Sequence, residues 1–138
     1  MKRAFVDANV ILRFLTKDPP SMAEASLRIF EEAKSGKVLL LVIPITVAEV
    51  VWVLESFYGY PKEKIAETMT QFLSCEGLEV ESLDLLFEAL NLYYEKNLDF
   101  ADAILATTAL KKGIPTLYSF DQHFNRINGI IRMEFGKK

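Results

Sequence analysis

The chain has 138 residues, and at about 150 residues per domain it has room for a single domain spanning 1–138. A composition that is 51% hydrophobic and 12% aromatic can build a core at this length, which excludes disorder as the main state. The 16 Lys+Arg against 19 Asp+Glu give a net charge of −3, which argues against a domain that binds nucleic acid by basic charge alone.

Ala4-Phe5-Val6 is a short apolar run ending at Asp7, and helical spacing follows through Val10, Ile11, Phe14 and Leu15; this predicts a strand leading into a helix. Asp18-Pro19-Pro20 stops that helix, and Ser21-Met22-Ala23-Glu24 has capping-box spacing for a second that runs to about Lys34, with Gly36 as its stop. Val38 to Ile43 is wholly apolar and too short for a stable helix, as suits a buried strand of a parallel sheet, and Pro44 ends it. Thr46-Val47-Ala48-Glu49 repeats the capping-box spacing for a third helix, which lasts until Gly59 and places Glu49 in its first turn. Tyr60-Pro61 opens a fourth, closed by Gly77, and Leu78 to Val80 is a short strand. Ser82 opens a fifth helix, a sixth runs from Asp99 to Lys112, and Gly113-Ile114-Pro115 is a turn. Thr116 to Tyr118 and Ile130 to Met133 are the last two strands. Strands alternating with helices imply an α/β fold, a three-layer sandwich with a mostly parallel central sheet.

Cys75 is the only cysteine, so the fold needs no oxidising compartment. Asp7 interrupts the apolar stretch after Met1-Lys2-Arg3, and no apolar run approaches the roughly 18 residues of a membrane span. The expectation is a cytoplasmic protein with no membrane partner. Cys75 itself reads as a packing residue.

Ligands of open α/β sheets bind outside the carboxyl ends of the strands. Asp7 ends the first strand, Glu49 follows the second, Asp121 follows the Thr116 strand, and Asp99 and Asp102 lie at the start of the sixth helix. If those strands are parallel neighbours, the four carboxylates of Asp7, Glu49, Asp102 and Asp121 gather at one sheet edge and need a cation. An all-oxygen donor set suits Mg²⁺ or Mn²⁺, and one histidine and one cysteine make no zinc site. An ion held there lowers the pKa of a water for attack on a phosphodiester. Each acid also has an ordinary reading: Glu49 as a capping-box member, Asp99 and Asp102 as cap and first-turn residues, Asp121 as a turn residue. Asn9 is placed to cap the first helix and to hydrogen-bond a ligated carboxylate.

The segments Val6-Asp7-Ala8-Asn9-Val10-Ile11-Leu12, Thr46-Val47-Ala48-Glu49-Val50-Val51-Trp52-Val53-Leu54, Asp99-Phe100-Ala101-Asp102-Ala103-Ile104-Leu105-Ala106 and Ser119-Phe120-Asp121-Gln122-His123-Phe124 resemble the successive motifs of the PIN-domain family. The likeness is strongest to its VapC-like branch and covers nearly the whole chain. It implies that Asp7, Glu49, Asp102 and Asp121 are the metal-binding acids, supported by Asn9 and by the hydroxyl of Ser119. Asp99 reads first as a helix cap and second as a water-mediated contact to the metal. The resemblance further implies a Mg²⁺- or Mn²⁺-dependent endoribonuclease, commonly the toxin of a type II toxin–antitoxin pair and commonly a homodimer.

Arg13, Lys17 and Arg126 flank the acidic motifs and are candidates for holding RNA phosphates, with a solvated helix face as the alternative. Trp52, Phe57, Tyr58 and Tyr60 read as core or subunit interface before base stacking. His123 reads as a loop residue beside the site. Two other functions compete. A Mg²⁺ phosphatase or phosphotransferase would also place Asp7 after strand one, but would want an acid where Asn9 stands. A non-catalytic interaction module would keep the fold and use the acids structurally.

Overall fold

The computed structural model describes residues 2–134. They form β1 (Lys2–Phe5), α1 (Ala8–Thr16), α2 (Pro20–Lys34), β2 (Val38–Val42), α3 (Pro44–Ser56), α4 (Lys62–Leu73), β3 (Leu78–Val80), α5 (Leu83–Glu95), α6 (Phe100–Lys111), β4 (Thr116–Tyr118), a 3-10 helix (Gln122–Arg126) and β5 (Ile131–Met133). The chain divides into two compact units between Leu83 and Asp84. No helix among the described residues is long and apolar enough to cross a membrane.

The first unit is built on a parallel ladder in the order β1-β2-β3. Both crossovers use a helix pair, α1 and α2 between β1 and β2, then α3 and α4 between β2 and β3. Parallel neighbours need such long connections because the chain must return to the start of the sheet. The central strand β2 buries Leu40 and Val42, and α1, α3 and α4 supply Ile11, Val47, Leu54, Ile65 and Met69 to the same core. Phe14, Phe30 and Phe72 tie α1, α2 and α4 together, with ring centroids 4.4 to 6.2 Å apart, the tilted and edge-on contacts that aromatic quadrupoles favour.

The second unit pairs β4 with β5, also parallel, from Thr116 opposite Ile131 to Tyr118 opposite Met133. Leu86, Leu90, Tyr93, Leu98, Phe100 and Ala103 are buried in it, and Tyr93 meets Phe100 edge-on at 5.7 Å. Among the described residues the strands are therefore all parallel, as the helix–strand alternation implies, and they form two hydrogen-bonded ladders, so that β4 is not a ladder neighbour of β1 or β2.

Helix starts differ from the capping-box reading. α2 begins at Pro20 and α3 at Pro44, and neither has a side-chain cap. Proline at the first helical position brings a pre-set φ and no N–H to satisfy, so it opens the helix ahead of the Ser or Thr downstream. Ser21 and Thr46 are consequently helical residues, and Glu49 lies in the second turn of α3. Cys75 is exposed rather than packed.

Candidate active site

Asp7 is the N-cap of α1. Its Oδ1 accepts a hydrogen bond from the Val10 N–H at 3.1 Å. The cap expected of Asn9 is therefore made by Asp7; Asn9 is the second helical residue and is exposed. The cause is where the strand lets go: β1 ends at Phe5 and Ala8 is already helical, so residue 7 has the extended backbone a cap requires. Asp7 is itself exposed and lines an open groove of about 720 Å³ with Phe5, Ile29, Lys37, Ile43 and Thr46.

Glu49 lies on α3 at helical spacing from Ile45 and Trp52, and all three are exposed. The opposite face of α3 buries Val47, Val50, Val51 and Leu54. Because Glu49 is beyond the first turn, no capping role accounts for it. On the same helix and the loop that follows, Trp52 and Phe57 are 66% and 76% exposed. This removes the core as an explanation for these two rings. Tyr58 and Tyr60 are half-buried; Tyr58 meets Phe57 edge-on at 5.0 Å between centroids and Tyr60 at a tilt at 6.1 Å.

The second unit holds the other acids. Asp99 has the N-cap position of α6 without a side-chain cap bond, and Asp102 is in the first turn. Asp121 caps the 3-10 helix: its Oδ1 accepts the His123 N–H at 2.8 Å, and its own N–H donates to Ser119 Oγ at 3.0 Å. His123 Nδ1 stands 3.2 Å from the same Asp121 oxygen. Burial holds the Asp102 carboxyl above the usual carboxylate range, the charges of Asp99 and then Asp121 push it further up, and His123 pulls it back. Desolvation and like charge both penalise the ionised form.

Asp102 thus shares its surroundings with two other carboxylates, and a cation would relieve that repulsion. The donors are oxygens, so the chemistry of the set fits a hard divalent ion. Among the described residues no three His, Cys, Asp or Glu side chains are grouped as a ready-made metal cage.

The basic candidates are partly committed to the fold. Arg126 Nη1 donates to the carbonyls of Lys96 and Asn97, at 3.1 and 2.8 Å, and so holds the turn that leads into Asp99. Arg13 Nη1 donates to the Asp18 carbonyl at 3.2 Å, beyond the end of α1. Lys17, in the left-handed conformation at that helix end, is exposed.

Residues 4–130 match the family described as PIN domain. The chain belongs to the PIN-domain family. The match runs through both units and takes in all four acidic motifs. A VapC ribonuclease of Aquifex aeolicus (strain VF5) is 30% identical over 122 residues, covering 88% of this chain and 90% of that protein. Among solved structures, VapBC2 from Rickettsia felis bound to a DNA fragment from its promoter aligns at 20% identity and a TM-score of 0.42, over 97% of this PIN-domain chain and 98% of the other.

One residue with a place in this site was missed by sequence reasoning. Arg132 of β5 reaches both flanks of Asp121, donating from Nη1 to the Ser119 carbonyl and from Nε to Asn125 Oδ1, each at 3.0 Å. A lone arginine in a short apolar strand matches no motif. The one available signal was a charged residue between Ile131 and Met133.

Proposed function

We propose that this PIN-domain protein is a metal-dependent endoribonuclease, the toxin of a type II toxin–antitoxin pair, acting in the cytoplasm as one domain and as a homodimer. The observation that carries this reading is the relationship to the VapC ribonuclease over 88% of the chain. The motif spacing and the like-charged surroundings of Asp102 support it. Asp7, Glu49, Asp102 and Asp121 are the acids assigned to Mg²⁺ or Mn²⁺, with Asp99 as an outer, water-mediated contact.

When bound, the cation supplies a lowered water pKa and a counter-charge for the phosphodiester. The chain's own residues then have simpler tasks. Asp7 and Asp121 present carboxylates whose direction is fixed by backbone N–H groups. Ser119 holds the Asp121 backbone through its hydroxyl. The exposed Lys17 is free to steer an RNA phosphate without reading sequence.

The test uses purified protein and RNA with Mg²⁺ or Mn²⁺. Asp7→Asn and Asp102→Asn should abolish cleavage and retain the fold, and chelation should abolish it in the wild type. Undiminished cleavage by both variants would sink the proposal. Trapping a phosphorylated Asp7 would instead favour a phosphotransferase, and the lack of any saturable Mn²⁺ binding would favour an interaction module. Expression in cells with sequencing of RNA ends then identifies the RNA, and co-purification of a co-expressed neighbouring gene product tests for an antitoxin.

A further inference from the structure

Strand β5 has its polarity inverted. Ile131 and Met133 are 53% and 44% exposed, while the Arg132 side chain between them is only 13% exposed. Placing a guanidinium inward and two apolar side chains outward costs stability, since the charge must be desolvated. Sites that break such a local rule are where function is to be sought.

The contacts of Arg132 say what it does. Its charge is balanced by Glu134, whose Oε1 lies 3.1 Å from Nη1 and whose side chain is 11% exposed. Its other hydrogen bonds go to neutral acceptors, the Ser119 carbonyl and Asn125 Oδ1. Ser119 lies two residues before Asp121 and Asn125 four after it, so the guanidinium fork spans the loop that carries the acid. Ser119 is held twice, because its N–H also donates to the Met133 carbonyl at 3.0 Å. From there the chain of bonds continues through Ser119 Oγ to the Asp121 N–H, and from Asp121 Oδ1 to the His123 N–H.

We propose that Arg132 is a positioning residue for Asp121, fixing the loop from Ser119 to Asn125 so that the Asp121 carboxylate is presented to a divalent cation. This rests on the metal-dependent reading above. The planar fork matters as much as the charge, because two of its nitrogens reach acceptors on opposite sides of the acid.

Isothermal titration of Mn²⁺ into full-length protein tests it, with folding of each metal-free variant followed by circular dichroism. Outer residues that orient a ligand typically change metal affinity roughly 10- to 100-fold. Arg132→Gln should therefore weaken Mn²⁺ binding about tenfold or more with a native spectrum. Arg132→Lys keeps the charge opposite Glu134 but not the fork, and should recover only part of the loss. Wild-type affinity in a folded Arg132→Gln overturns the proposal. Should that variant fail to fold, Asn125→Ala removes one acceptor at an exposed residue, and unchanged affinity there overturns it instead. Asp121→Asn is the control for the acid itself. Absence of saturable binding by the wild type refutes the metal-dependent reading and this inference together, whereas wild-type binding lost in Asp121→Asn and kept in Arg132→Gln refutes the positioning role alone.

Discussion

Gly36 and Gly77 both follow helices, and both hold a left-handed backbone at φ +88°. Their surroundings differ. A Cβ on Gly77 would lie 2.5 Å from the carbonyl carbon and oxygen of Ala33 and 2.8 Å from its Cβ, whereas one on Gly36 meets nothing within 4 Å. Ala33 is a buried residue of α2, so the obstacle is helix backbone rather than the tip of a flexible side chain. Gly36→Ala should thus bear only the left-handed penalty, about 1–2 kcal/mol. Gly77→Ala adds overpacking of about 1–3 kcal/mol, for a total of about 2–5 kcal/mol. At roughly 3 °C per kcal/mol for a chain of this size, the two variants should differ in Tm by about 3–9 °C. Urea unfolding checks this, provided the slope m is the same for both, so that a shifted midpoint reports stability. Equal destabilisation of the two, within about 0.5 kcal/mol, would refute the close approach. The contact matters to the site because the Gly77 carbonyl accepts the Leu40 N–H at 2.9 Å. It therefore seats α2 on the strand that leads into the helix of Glu49.

Asp7→Ala should lose about 1 kcal/mol of stability with the cap bond, and Asp7→Asn only a few tenths, since Asn caps as well as Asp; equal losses in denaturant would show that Asp7 does not cap. Asp102→Asn should raise the melting temperature of the metal-free protein at neutral pH. A folded-state pKa above the unfolded one means that protonated Asp102 favours the fold at low pH, a contribution lost as pH rises through the raised value. The advantage of the amide should accordingly vanish on acidification into the ordinary carboxylate range, and a lower melt than wild type at neutral pH would contradict the assigned cause. Arg126→Ala unpairs the carbonyls of Lys96 and Asn97 and should cost about 1 kcal/mol. If Arg126 serves mainly as this clasp, RNA affinity and its salt dependence should stay unchanged in chemical denaturation-controlled binding assays; a shallower salt slope would assign it to a phosphate contact.

Much of this arrangement was legible in the sequence because it follows from burial. The parallel ladder of the first unit follows from apolar runs too short for helices, separated by segments of helical period. Asp7 stood out because an acid directly follows such a run. Helix starts were harder, since Ser21-x-x-Glu24 and Thr46-x-x-Glu49 carry the same residues as a capping box while Pro20 and Pro44 begin the helices first. Local pattern cannot say which of two good start signals acts earlier. Residue type reads Trp52 and Phe57 as core or subunit interface, and their exposure removes only the core; α3 is apolar on more faces than one, and period alone does not choose which face is buried. Arg132 was invisible for a different reason: beyond the nearby Glu134, the acceptors it holds around Asp121 lie seven and 13 residues away, and only tertiary structure brings them to it.

The placement of the acids also bears on how the fold tolerates them. Asp7, Asp99 and Asp121 occupy N-cap positions and Asp102 the first turn of α6, where unpaired N–H groups and the helix dipole favour negative charge by about 0.3–1 kcal/mol each. Capping can engage a single carboxylate oxygen, as Asp7 Oδ1 and Asp121 Oδ1 do, so one group can end a strand, begin a helix and still offer donor capacity to an ion. Glu49 is the exception, beyond the first turn of α3 and on its exposed face, and no feature of helix formation requires an acid there. Of the four proposed ligands it is the one whose identity helix formation does not explain.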